Sequence, residues 1–280
     1  VKNNILNTIK TIHPTNGMIG VEIEVEGSKL PQILPSWRID VDPSVKNWSK
    51  HENYEYVIPK PTDLIGVKAA LDELELAYKM NNSKVVEGEL CGVHVHLNVQ
   101  EWSLKKFYTF LICYYIIEEV LTTYCGPARE GNHFCLRAQD AEFILFQIRK
   151  TICEKNFKYL NNENIRYATC NLYSLFKYGS LEFRAMRSTR DLAAIYTWCE
   201  ILTTLAANTG KFNSPLEAIS QFSGDGELLF LKTLLGKHAP LFTKVPDLEK
   251  KIRNGARRAQ IIAYATDWNT YKDEKVNPFK

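Results

Sequence analysis

Glu22, Glu24 and Glu26 stand at alternate positions in the stretch M-I-G-V-E-I-E-V-E-G, separated by Val21, Ile23 and Val25. Strict alternation of this kind reads as a half-buried strand with one apolar face and one face of carboxylates. Four later segments repeat the pattern with other chemistry. Arg38, Asp40 and Asp42 alternate with Trp37, Ile39 and Val41, and Glu55 stands in E-Y-V-I-P. His94, His96 and Asn98 alternate with valines and leucine in C-G-V-H-V-H-L-N-V, and Glu182 and Arg184 stand in S-L-E-F-R-A-M. Taken singly, each polar face reads as solvated surface. Solvated faces mix Lys, Thr, Ser and Gln, whereas these hold Glu, Asp, His, Asn and Arg almost alone.

If the strands share a sheet, the joint face is a cluster of oxygen and imidazole ligands. Clustered carboxylates need a cation to stay ionised, and oxygen-rich sites suit Mg²⁺ or Mn²⁺. Alternate strand residues lie about 6.5–7 Å apart, so Glu22 and Glu24 could each hold one of two ions spaced about 3.5–4 Å. On the same ground, Glu182→Gln is expected to relieve repulsion and leave the fold as stable as the parent or more so. Zinc on Cys91, His94 and His96 is disfavoured, because Cys91 falls on the apolar face and no second cluster completes the spacing. The chain has no G-x-x-x-x-G-K-[ST], no G-x-G-x-x-G after a strand and no G-x-S-x-G. A nucleotide, if one binds, must then be held through metals and arginines.

The elements that carry these faces follow from periodicity and caps. Strands are expected near Ile19 to Val25, Trp37 to Val41, Tyr54 to Ile58, Cys91 to Val99 and Leu181 to Met186. Helices are expected from a cap at Thr62 or Asp63 to Met80, from Ser103 to about Gly126, from Ala138 to Lys158, and from Thr189 to Gly210. After Lys211, two or three helices follow, including the basic run K-K-I-R-N-G-A-R-R, then a polar tail. Strands mixed with long helices, without regular alternation, favour an α+β fold.

Composition sets outer limits. The 280 residues are 45% hydrophobic with a net charge of +3, which points to neither nucleic acid nor membrane as partner. The apolar run Phe107 to Ile117 is too short for a bilayer and meets Glu118 and Glu119 directly. V-K-N-N-I-L-N-T-I-K lacks the apolar stretch of a signal peptide, and the 7 cysteines form no C-x-x-C pair. A reduced, cytoplasmic protein is expected.

The motifs G-V-E-I-E-V-E, D-V-D-P-S, E-Y-V-I-P, G-V-H-V-H, R-E-G-N-x-F-C, R-Y-x-x-x-N and L-E-F-R follow one another between about Met18 and Asn208. In this order they resemble the amidoligases of the carboxylate–amine ligase superfamily, most of all those encoded by tailed bacteriophages. The resemblance implies a curved, mainly antiparallel sheet of glutamine-synthetase catalytic type packed with long helices. It implies a catalytic domain over 18–210, with a lead-in over 1–17 and a helical C-terminal extension over 211–280. It also implies ATP-dependent amide formation around two or three Mg²⁺ or Mn²⁺ ions, in the host cytoplasm if phage-encoded.

By motif, Glu24 and Glu55 with Asp42 correspond to ligands of one ion, and Glu22, His94 and Glu182 to those of another. His96 falls at a phosphate-side contact. Arg184 matches the arginine that neutralises the transferring phosphoryl group, and Arg166 and Asn171 match further phosphate or substrate contacts. Arg129, Asn132 and Arg137 are candidates for recognising a substrate carboxylate. Two departures stand out: the family's D-G-S is Asp42-Pro43-Ser44 here, and Glu26 has no counterpart, so exposure at the strand end is its expected state. The implied substrates are an amine and the carboxylate of an amino acid, peptide or protein, joined through an acyl phosphate. A guanidino-type phosphotransferase, a metal-dependent hydrolase and a non-catalytic phage interaction protein retaining the fold are the competing readings.

Overall fold

The computed structural model describes residues 4–41, 51–269 and 271, so Asp42, its Pro43-Ser44 loop and the polar tail lie outside the described residues. The alternating segment forms β1 (Ile19–Ser28), whose burial alternates along its whole length. Six further strands join it among the described residues: β2 (Arg38–Asp40), β3 (Glu52–Val57), β4 (Lys84–Val86), β5 (Gly92–Asn98), β6 (Cys170–Asn171) and β7 (Ser180–Arg187). The order is β2-β3-β1-β5-β7-β6, with β4 pairing β1 beyond the end of β5. Every pairing is antiparallel.

The helices among the described residues are α1 (Ile5–Thr8), α2 (Leu64–Met80), α3 (Leu104–Tyr124), α4 (Phe143–Cys153), α5 (Leu175–Tyr178), α6 (Leu192–Asn208), α7 (Pro215–Asp225), α8 (Glu227–Leu235) and α9 (Leu248–Ala263). Asp63 and Ser103 cap α2 and α3 as their positions predict, accepting from the backbone N–H of Gly66 and Lys106. For α6 the cap is Asp191, which accepts from Ala194 N, because the Thr189 hydroxyl donates to Glu87 at 2.7 Å instead. The helix expected from Ala138 to Lys158 is shorter at both ends. Asp140 accepts from the Arg137 backbone N–H in a turn before it, and Lys155 takes a left-handed φ of 49° after it.

The centre of the helical layer is α3, buried on nearly every side. Its Phe110 and Tyr114 meet Phe183 of β7 edge-on. Among the described residues no helix is long and apolar enough to cross a membrane. On its other side α3 takes α9, where Gly255 backs against the Ile116 carbonyl so closely that a Cβ would stand 2.2 Å from the oxygen. The basic run of α9 is thus partly structural: half-buried Arg258 pairs with Glu119, and Arg253 pairs with Glu227 of α8. Gly255→Ala gains about 1 kcal/mol of helix propensity but has no room, and overpacking costs about 1–3 kcal/mol. Net destabilisation is expected, larger for Gly255→Val, read as a lower denaturant midpoint at constant m value. Equal midpoints would show that α9 shifts freely on α3.

Glu118 of α3 is wholly enclosed. It accepts hydrogen bonds from the Thr169 hydroxyl and, at 2.7 Å, from Ala138 N, tying the segment before α4 to the start of β6. Burial outweighs these bonds and the nearby Arg258 and Arg137 charges, and pushes its carboxyl up to about 7. An unfolded glutamate titrates near 4.3. Between those values the folded chain keeps a proton that the unfolded chain has released, so stability falls as pH rises through the window and the loss is complete above it. Glu118→Gln removes that decline. Its stability relative to the parent should climb by roughly 3 kcal/mol between pH 4.5 and 8, measured by urea unfolding at each pH; a pH-independent difference would refute the buried neutral acid.

Candidate active site

Register decides which polar side chains meet. Glu24 faces Glu55 across β1 and β3, and Glu55 faces Asp40 on β2. Glu22 faces His94, while Gly20, His96, Glu182 and Asn171 form one row across β1, β5, β7 and β6. Pairing of β5 with β7 slips between Val93 and Val95, a bulge opposite His94. Bulges re-aim side chains beside functional sites. This one leaves the Arg184 carbonyl open to accept from Arg129 Nη2 at 2.7 Å.

The carboxylates and imidazoles converge where these rows adjoin. Glu22, His96 and Glu182 each bring one ligand atom within 4.8 Å of the others. His96 Nε2 is buried without a hydrogen bond and faces Glu22 at 3.4 Å, while its Nδ1 is held by the Ser180 hydroxyl at 3.0 Å. His94 Nδ1 lies 3.3 Å from Glu22 and 3.5 Å from Glu182, and its Nε2 lies 3.8 Å from Glu24. Glu24 also accepts the Gly92 N–H at 2.7 Å. Glu182 accepts from Asn171 Nδ2 at 2.6 Å and from Arg184 Nη1.

Burial alone would raise these carboxyls. For Glu22, contact with His94 and His96 overrides burial and holds it well below the usual range. For Glu182, the charges of His96, Arg184 and His94 do the same. Burial lowers His96, but its contact with Glu22 and the charge of Glu182 raise it on balance. The two carboxylates are thus kept ionised by their neighbours.

The cluster floors a cavity of about 320 Å³, whose far walls include Arg129, Phe134, Arg166, Tyr167, Lys177 and Tyr178. Of the residues singled out in the sequence, Glu22, Glu24, His94, His96, Glu182, Arg184, Arg166, Asn171 and Arg129 line it. Glu55 adjoins Glu24 in the sheet but lies outside that lining. Arg166 rests on the Tyr167 ring and donates to its hydroxyl at 2.6 Å.

Four residues singled out in the sequence meet different surroundings. Arg129 is 3% exposed, and its guanidinium donates to the Arg184 and Glu89 carbonyls. Asn132 donates to Glu89 O at 3.1 Å and Arg137 pairs with Asp140 at 2.8 Å, both away from the cavity lining. Glu26, expected to be exposed, is half-buried because β4 pairs alongside it. Cys91 is buried outside the ligand group. The sequence reading missed Ser180, Lys177 and Tyr178. A Ser on the strand carrying Glu182 was a usable signal, whereas Lys177 and Tyr178 sit in a four-residue helix with no periodicity to expose them.

A protein-family model described as "putative amidoligase enzyme" matches residues 9–206, which spans the sheet and nearly all of α6. The chain belongs to this family, whose description is that of a ligase-type, amide-bond-forming enzyme. No match is found among curated proteins.

Proposed function

We propose that the chain is an ATP- and divalent-metal-dependent carboxylate–amine ligase whose sheet works in the manner of the glutamine-synthetase catalytic fold. The observation that carries this reading is the Glu22–His96–Glu182 group with Arg184 paired to Glu182. The donor set fits a hard divalent ion: two carboxylates kept ionised and an imidazole whose buried Nε2 has no hydrogen bond of its own. Ser180 holds the other ring nitrogen and so fixes the orientation of the imidazole. Mg²⁺ or Mn²⁺ bound there supplies positive charge to phosphoryl oxygens. Glu24, with Glu55 and Asp42, is the proposed second acidic group.

A carboxylate is a poor electrophile. One of its oxygens attacks the γ-phosphorus of ATP, the bond to ADP breaks, and the resulting acyl phosphate gives phosphate as leaving group when an amine attacks its carbon. No covalent nucleophile on the protein is required, so its work is positioning and charge neutralisation. Arg184, Arg166 and Lys177 face the cavity as cations for the phosphoryl group and the acid. Asn171 orients Glu182, and the Phe134 and Tyr167 rings pack edge-on at the cavity wall.

The test follows ADP and product mass with ATP, Mg²⁺ and a pooled set of acids and amines. ADP release that needs acid and amine together, gives an amide and stops with a chelator is the expected result. Stoichiometric phosphoguanidine from a guanidine acceptor alone would instead assign a phosphotransferase, and turnover without ATP a hydrolase.

A further inference from the structure

A second cavity, of about 340 Å³, adjoins the first and shares Glu22, His96, Lys177 and Tyr178 with it. Its character differs. On the otherwise charged face of the sheet, Val57 stands between Arg38 and Glu22, and Gly20 stands opposite His96. A valine and a missing side chain make that floor apolar and open. The wall continues through Met18, Val21, Ile58, Pro59 and Pro61. The two prolines offer no N–H and hold the backbone rigid. Away from the shared seam, the charged side chain lining this cavity is Arg38, already paired with Asp40 at 2.7 Å.

In the first cavity Arg166 and Lys177, neither with a carboxylate within ion-pair distance among the described residues, stand alongside Glu22, Glu24, Glu163 and Glu182, so an anion would be held there by these cations together with a divalent ion on the carboxylates. The second suits an uncharged, flat group. Tyr178 forms the partition, meeting His96 edge-on at 5.5 Å. A ligand seated in the apolar cavity meets the carboxylate–imidazole group at the shared residues Glu22 and His96. An elongated molecule with an uncharged ring at one end and a polyanion at the other matches that layout; a small acid does not.

We infer that the Val57–Pro61 cavity seats the nucleobase end of the phosphoryl donor, leaving the Arg166–Tyr167 cavity to the acid. The inference rests on the nucleotide reading above. Calorimetry on the full chain with Mg²⁺ tests it, using ATP and inorganic tripolyphosphate as probes. Val57→Phe fills the floor, and Met18→Trp crowds the rim at a residue 52% exposed in the parent. Each variant should weaken ATP by about tenfold or more and leave tripolyphosphate nearly unchanged. If Val57→Phe loses both ligands, its fold has failed and the ratio in Met18→Trp decides. An unchanged ratio of the two affinities, or its collapse in Tyr167→Ala instead, would overturn the assignment while sparing the ligase reading. A parent chain that binds neither probe would overturn both.

Discussion

Glu182→Gln is expected to lose turnover by about 10²–10³ and also to melt below the parent. The first effect follows from removing a charge at the point where Glu22, His96 and Glu182 converge. The second reverses what the sequence alone suggests, since neutralising one of several carboxylates ought to relieve repulsion. The reason is pairing. Glu182 is 6% exposed and takes hydrogen bonds from Arg184 and Asn171, so the variant leaves a largely buried guanidinium without its counter-charge. Breaking one partner of a buried pair costs roughly 3 kcal/mol or more. Urea unfolding of the metal-free protein measures it; a midpoint equal to or above the parent's would mean that repulsion in the cluster outweighs the Arg184 pair.

Arg184→Lys should lower kcat by about 10²-fold while changing the ATP dissociation constant little. Arg184 Nη1 holds Glu182 and its Nε points to the Phe134 carbonyl at 3.4 Å, which leaves another donor edge of the planar fork for developing phosphoryl charge. A lysine ammonium is a single point charge and cannot keep the first contact while supplying the second. Steady-state kinetics paired with equilibrium binding separates the two parameters. A raised dissociation constant with kcat intact would make Arg184 a ground-state anchor and nothing more.

How much of this was readable in advance depended on the kind of signal. β1 was legible because one of its faces is apolar at every second residue, and β5 and β7 for the same reason. β6 was not, because two residues hold no period. The ligand face was legible in residue types but not in partners. His94 and His96 share that face, and nothing in H-V-H says which of them meets Glu182. The β5–β7 register sets His96 across from Glu182, while the His94 ring reaches Glu22, Glu24 and Glu182 alike. Arg137 shows the opposite failure: a guanidinium that looked available in a polar loop is taken by Asp140 three residues on.

Glu22, Glu24, His94, His96 and Glu182 all project from strands inside a hydrogen-bonded ladder, whereas Phe134, Glu163, Arg166, Tyr167, Lys177 and Tyr178 sit on turns and short helical segments around the rim. Such a division lets evolution work on the two parts at different speeds. Rim segments can change length or sequence without shifting strand register, because surface connections tolerate insertion far better than paired strands do. Residues 130–136 and 161–165 could therefore be altered while Glu22, His96, Glu182 and the Asn171 that holds Glu182 keep their places in the ladder. A laboratory graft of those two segments between family members offers a route to altered substrate choice.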